Sequence, residues 1–130
     1  MLNHISVLVV EDQPFIALDV ALAMEDAGCK VIGPVASSRE ALALLATEIV
    51  GAAIVDINLV DGESWALVEV LVGLDIPFIV HTAVSVPPAQ AVRFPGLVVQ
   101  IKPCLAASLV AQLEGLLTAR RPASAMAPHD

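Results

Sequence analysis

The sequence predicts an α/β fold: a doubly wound parallel sheet of five strands in the order 2-1-3-4-5, with a short or missing fourth helix. Three observations predict it. Five short apolar runs alternate with stretches of helical spacing along the 130 residues, the pattern of consecutive strand–helix units. The third of them, Ala52, Ala53, Ile54 and Val55 after Gly51, is a continuous apolar run, as a parallel strand covered on both faces reads. Four runs also end in polar side chains: Glu11 and Asp12, then Asp56, Thr82 and Lys102. In open α/β sheets, ligands sit at the carboxyl ends of the strands.

The elements follow in order. Ile5 to Val10 reads as a buried first strand. Pro14 then opens a helix at a position where its missing N–H costs nothing. That helix is expected to run to about Ala27, with Ala17, Val20, Ala21 and Met24 on one side and Asp19 and Asp26 on the other; Gly28 stops it. Lys30 to Val35 is a second strand, and Gly33 and Pro34 suit an edge position. Ser37 and Glu40 form a capping-box pattern for a helix over Arg39 to Thr47.

The Asp56 strand is third. After Asn58 and a loop holding Asp61 and Gly62, a third helix is expected over Glu63 to Val72, with Trp65, Val68 and Leu71 packing inward. Ile76 to Val80 is a fourth strand leading into His81 and Thr82. Residues 83–96 hold Pro87, Pro88 and Pro95 and leave room for at most one short helix, Ala89 to Phe94. Leu97 to Ile101 is the fifth strand. A last helix, Leu105 to Ala119, puts Leu105, Leu109, Leu113 and Leu116 on one face, with Arg120 and Arg121 near its negative C-terminal end. A single domain over residues 1–121 and a flexible tail over 122–130 are expected.

Composition narrows the function. Residues are 58% hydrophobic but only 3% aromatic, so the core is aliphatic. No run reaches the ~18 uninterrupted apolar residues of a membrane span, and the N-terminus has no basic region or cleavage-site pattern. A soluble, cytoplasmic protein without membrane partners is expected. The net charge is −8 and the six basic residues are scattered, which argues against a nucleic-acid partner. Cys29 and Cys104 have no metal-ligand spacing and read as free core or near-surface thiols. His81 reads as a local hydrogen-bonding or surface residue, because alternation along the strand turns it away from Thr82. Trp65 reads as a packing residue.

The polar strand ends are chemically interdependent. Three carboxylates brought close together repel one another, which raises their proton affinity and costs stability. A divalent cation removes that cost. Mg²⁺ fits best, as a hard ion that takes oxygen ligands, keeps waters and shares oxygens with a phosphoryl group. Asp56 is then free to act as a nucleophile toward phosphorus. The Thr82 hydroxyl and the Lys102 ammonium would help to hold the phosphoryl oxygens, the positioning and charge neutralisation that phosphoryl transfer needs.

Together, in order and each at a strand end, these residues are specific. The chain resembles the receiver domain of two-component response regulators, a flavodoxin-like fold, over residues 4–119. The resemblance rests on VVED (Val9 to Asp12), Asp56 after the third strand, Thr82 after the fourth, and Lys102-Pro103 after the fifth. It implies that Asp56 accepts a phosphoryl group from a histidine kinase. It also implies that Glu11, Asp12, Asp56 and the backbone carbonyl of Asn58 hold Mg²⁺, with Asp12 a direct ligand. Thr82 would bond the phosphoryl group and Lys102 would pair with it. The implied protein is a phosphoryl acceptor and not a turnover enzyme.

A narrower resemblance is to the alphaproteobacterial FAT GUY receivers, which are often paired with HWE or related kinases. It rests on VEDQPFIALDV (Val10 to Val20), the Ala27-Gly28-Cys29, Val31 and Gly33-Pro34 stretch, DINL (Asp56 to Leu59) and Pro77-Phe78. Where that group reads Phe-Ala-Thr-Gly-Tyr, this chain has Val80, His81, Thr82, Ala83 and Val84. The aromatic switch position, three before the lysine, is Val99, and the chain has no Tyr.

The expected protein is a stand-alone, monomeric receiver signalling through contacts with a histidine kinase, of the HWE type on the narrower resemblance, and a downstream or phosphotransfer protein. The 83–96 loop is expected to be the switch, ordering on phosphorylation. The alternatives are a phosphate sink, or a pseudo-receiver adaptor that works without phosphorylation. An aspartate-nucleophile phosphatase is disfavoured, because Asn58 stands where a second acid is wanted two residues after the nucleophile.

Overall fold

The computed structural model describes residues 2–120. Five parallel strands form one sheet in the order β2-β1-β3-β6-β7. They are β1 (Ser6–Val10), β2 (Lys30–Val35), β3 (Ala52–Val55), β6 (Phe78–Thr82) and β7 (Val99–Ile101), interleaved with helices α1 (Pro14–Asp26), α2 (Ser38–Thr47), α3 (Trp65–Gly73), α4 (Pro88–Arg93) and α5 (Ala106–Arg120). A two-residue antiparallel ribbon, β4 (Asn58–Leu59) with β5 (Gly62–Glu63), lies between β3 and α3. This is the expected doubly wound sheet, with β2 at the edge and a fourth helix of six residues. The proposed tail and Arg121 lie outside the described residues.

Side-chain alternation along the central strands builds two cores, one on each face of the sheet. Val7, Val9 and Ile54 pack with Val20 and Met24 of α1 and Leu109 and Leu113 of α5. Leu8, Val10, Ala53 and Val55 pack with Ala41 of α2 and Leu67 and Leu71 of α3. A third cluster joins Ile57, Trp65, Val68, Val80 and Phe94.

Local chemistry sets the strand ends. Gly33 adopts φ +93°, and a Cβ there would lie 2.9 Å from Val35 N and 3.1 Å from Val9 O. Only glycine fits this left-handed, crowded position. The β1–β2 register shifts between Leu8 and Val10 at this point, so that Val10 pairs Val35. Glu11 N–H then donates to Val35 O at 2.9 Å, which anchors the residue that opens the site.

The capping box at α2 forms: Ser37 Oγ accepts Glu40 N–H at 3.0 Å and donates to Glu40 Oε1 at 2.9 Å. A second cap was not visible in the sequence. The Asp61 carboxylate accepts the N–H groups of Ser38 at 2.9 Å and Arg39 at 3.1 Å. These bonds hold its pKa below the usual carboxylate range and tie the β4–β5 turn to the start of α2.

Three expectations are corrected. Helix α3 begins at Trp65, not Glu63, because Gly62 at φ +112° turns the chain back and Glu63 pairs with Asn58 in the ribbon. The strand placed at Ile76 to Val80 is two residues later, at Phe78–Thr82, because Ile76 N–H is taken by Leu71 O at the end of α3. Leu105 precedes α5 and is 74% exposed, while Leu109 and Leu113 are fully buried. The leucine face thus starts one turn later than its spacing suggested.

Candidate functional site

Strand register places the polar ends side by side. Val10 pairs with Val55, and Val55 with Val80, so Glu11 and Asp56 leave adjacent strands at the same level. Thr82 pairs with Ile101, and Lys102 N–H donates to Thr82 O at 2.7 Å. Four of the five strands thereby bring Glu11, Asp12, Asp56, Thr82 and Lys102 to one edge of the sheet. The sequence predicted that convergence.

Glu11, Asp12 and Asp56 each offer an oxygen within 4.8 Å of the others. Glu11 and Asp56 are buried and Asp12 is half-buried. Lys102 Nζ stands 2.7 Å from Glu11 Oε1 and 2.9 Å from Asp56 Oδ2. Its approach to Asp56 is a hydrogen bond. Toward Glu11 Oε1 it is a short ion-pair contact. Glu11 Oε2 accepts Gln13 N–H at 3.1 Å.

One ammonium among three carboxylates leaves an excess of negative charge. Burial pushes the Glu11 carboxyl up to about 7, despite the opposing Lys102 ammonium, and the Asp56 charge adds to the rise. For Lys102, burial alone would lower the pKa. The contacts with Glu11 and Asp56 outweigh it and raise the pKa above the usual lysine value. An all-oxygen donor set with surplus negative charge fits a hard divalent cation.

The remaining residues surround this centre. Asn58 N–H points to Asp56 Oδ1 at 3.4 Å. Thr82 is fully buried, and its Oγ1 accepts Val84 N–H at 3.1 Å. As an acceptor there, it keeps its own O–H to give elsewhere. Ser64 escaped the sequence reading. Fully buried ahead of α3, it donates from Oγ to Asp56 O at 2.7 Å and from N–H to Ile57 O at 2.8 Å. A serine just before a helix was a visible capping signal, but its true partner is the backbone of Asp56.

His81 is 4% exposed, so its surface reading is overturned; it does make a hydrogen-bonding contact, but with a residue distant in sequence, Nε2 lying 3.4 Å from Cys104 Sγ. Alternation turns His81 into the α1–α5 side of the sheet. Trp65 packs as expected, and its ring stacks on Phe94 with centroids 6.1 Å apart and an interplanar angle of 13°. Cys29 and Cys104 are both free thiols.

This fold matches known proteins. The chain has the fold of CheY-like response-regulator receiver domains. It superposes on a CheY-like receiver domain protein from Methanospirillum hungatei with a TM-score of 0.80 and 22% identity, covering 90% of this chain and 96% of that one. The chemotaxis response regulator CheY4 of Vibrio cholerae gives 0.76 and 22%, over 88% and 99%. The response regulator PhyR from Brucella abortus gives 0.80 and 28%, with 97% of this chain matching about half, 53%, of that one. No family profile matches the sequence, and no curated protein matches it. No helix among the described residues is long and apolar enough to cross a membrane.

Proposed function

We propose that this chain is a two-component receiver that accepts a phosphoryl group on Asp56 from a histidine kinase and signals through protein contacts. One observation carries the reading. The Asp56 carboxylate leaves the central strand 2.9 Å from the Lys102 ammonium and beside the Glu11 and Asp12 oxygens. An Asp56 oxygen attacks the phosphorus of a phosphohistidine, the P–N bond breaks and the imidazole leaves. Lys102 follows the negative charge from the carboxylate to the phosphoryl oxygens. Thr82 gives its free O–H to one of them. Because Thr82 Oγ1 also holds Val84 N–H, that contact draws on the loop after β6.

Asp12, Asp56 and the Asn58 carbonyl, with Glu11 alongside, would hold Mg²⁺, which when bound neutralises charge on the phosphoryl oxygens. Glu11 contributes less directly, since Lys102 and Gln13 N–H already engage its oxygens. The identity with PhyR supports a response regulator. The FAT GUY assignment, and with it an HWE-type kinase partner, rests on the sequence words around Val10 to Val20 and on Val99 at the switch position.

We place the output route in α4, which lies within 83–96, rather than in ordering of that loop. Ser64 ties the Asp56 backbone to the start of α3, and the next residue, Trp65, stacks on Phe94 at the end of α4. Arg93 sits 4.7 Å over the Phe94 ring and pairs with Glu69 of α3. In this reading the contact between Trp65 and Phe94 carries the signal that a switch tyrosine would otherwise carry, and α4 shifts rather than orders.

Amide NMR with Mg²⁺ and then beryllofluoride tests the proposal. Shifts at residues 11–12, 56–65, 82–94 and 102 that vanish in Asp56→Asn support it. Mg²⁺ binding with no response to beryllofluoride overturns it.

A further inference from the structure

We propose that Cys104 is a site of reversible oxidation by a small hydroperoxide, with the buried His81 imidazole acting as its base. Neither residue has a part in the phosphoryl chemistry. Cys104 Sγ and His81 Nε2 stand 3.4 Å apart, the nucleophile-to-base contact that activates a weak nucleophile. A cavity of about 150 Å³ opens beside them, lined by both residues together with Ile16, Val20, Lys102 and Leu109. It holds a peroxide with ease, since a water occupies roughly 30 Å³. A pendant thiol, a buried base and an adjoining cavity separate Cys104 from a cysteine that merely fills space.

The resting pair is neutral. Burial raises the Cys104 pKa against the pull of Lys102, and it lowers that of His81, with Lys102 adding to the drop. The step therefore starts from an S–H···N contact with the imidazole proton on Nδ1. As sulfur attacks one peroxide oxygen, its proton passes to Nε2, the S–O bond forms and the O–O bond breaks. The leaving hydroxide takes the imidazolium proton and departs as water. Sulfur loses two electrons and the peroxide gains them, leaving a sulfenic acid that a small thiol can reduce in two steps.

Position gives the modification a consequence. Cys104 follows Lys102 and Pro103, and His81 precedes Thr82. An oxygen inserted between them pushes on the strand ends that carry both phosphoryl-binding side chains. This consequence rests on the phosphoryl-acceptor reading, whereas the oxidation itself does not.

The test exposes native protein to hydrogen peroxide with a dimedone-type sulfenic-acid trap and maps the label by mass spectrometry. Cys29 is the internal comparison: it is buried and faces the negative Glu114, where Cys104 faces the positive Lys102. Native Cys104 should be labelled at least about tenfold faster than Cys29, and faster than Cys104 in the urea-unfolded chain, as base assistance requires. Accessibility alone gives the reverse order in the second comparison, and that order overturns the proposal. His81→Asn should slow native labelling about tenfold; if the variant unfolds, the two wild-type comparisons decide alone. Selective oxidation that leaves uptake of a phosphoryl group from a small donor unchanged removes the regulatory consequence while keeping the site.

Discussion

Lys102 Nζ lies 2.9 Å from Asp56 Oδ2 and closes the carboxylate end of the sheet, bridging β3 and the loop after β7. The same ammonium stands 2.7 Å from Glu11 Oε1. It is the cation that lets two buried carboxylates share one site, and it lies beside the atom that the proposed chemistry would phosphorylate.

Lys102→Ala should therefore destabilise the metal-free protein by about 3 kcal/mol, the order of cost for leaving a buried charge unpaired. Saturating Mg²⁺ should recover part of that loss, and phosphoryl uptake should fall. Denaturant titrations with and without Mg²⁺ measure the first two effects. Equal stability of wild type and variant without the metal would contradict the charge balance described for the site.

The Glu11 carboxyl sets a pH dependence. Its pKa rises from 4.5 to about 7 on folding, so the folded protein holds this proton more tightly than the unfolded chain. The favourable term is fully present below about pH 4.5 and is lost as the pH rises through about 7, a change of about 3 kcal/mol. Metal-free protein should lose stability across this window, and Glu11→Gln should flatten the curve. Thermal melts at a series of pH values check it.

Trp65 is the only tryptophan, which makes the α3–α4 contact observable. Its buried Nε1 has no hydrogen-bond partner, so small shifts of Phe94 change its surroundings. Beryllofluoride with Mg²⁺ should alter the Trp65 emission in wild type and not in Asp56→Asn. Phe94→Ala should cost about 3 kcal/mol of stability and uncouple α4 from the site, leaving Mg²⁺ affinity unchanged. Emission that ignores beryllofluoride would remove Trp65 from the output route.

Much of this was legible in the sequence, for physical reasons. Continuous apolar runs mark buried parallel strands, so β1 and β3 and the residues just past them, Glu11, Asp12 and Asp56, could be placed within a residue. Thr82 and Lys102 followed from the same logic. What escaped depends on contacts between distant segments. Asp61 caps a helix more than twenty residues away, Ser64 bonds to the Asp56 backbone, and the partner of His81 lies after β7. Helical spacing placed Leu109 and Leu113 inward, but it could not show that α5 starts after Leu105.

The most direct test of the phosphoryl-acceptor reading is intact-mass analysis after incubation with a small phosphodonor such as acetyl phosphate and Mg²⁺. The predicted result is the gain of one phosphoryl group on wild type, labile to hydroxylamine as an acyl phosphate is, and no gain on Asp56→Asn. No gain on wild type, or a gain that survives in Asp56→Asn, would contradict it.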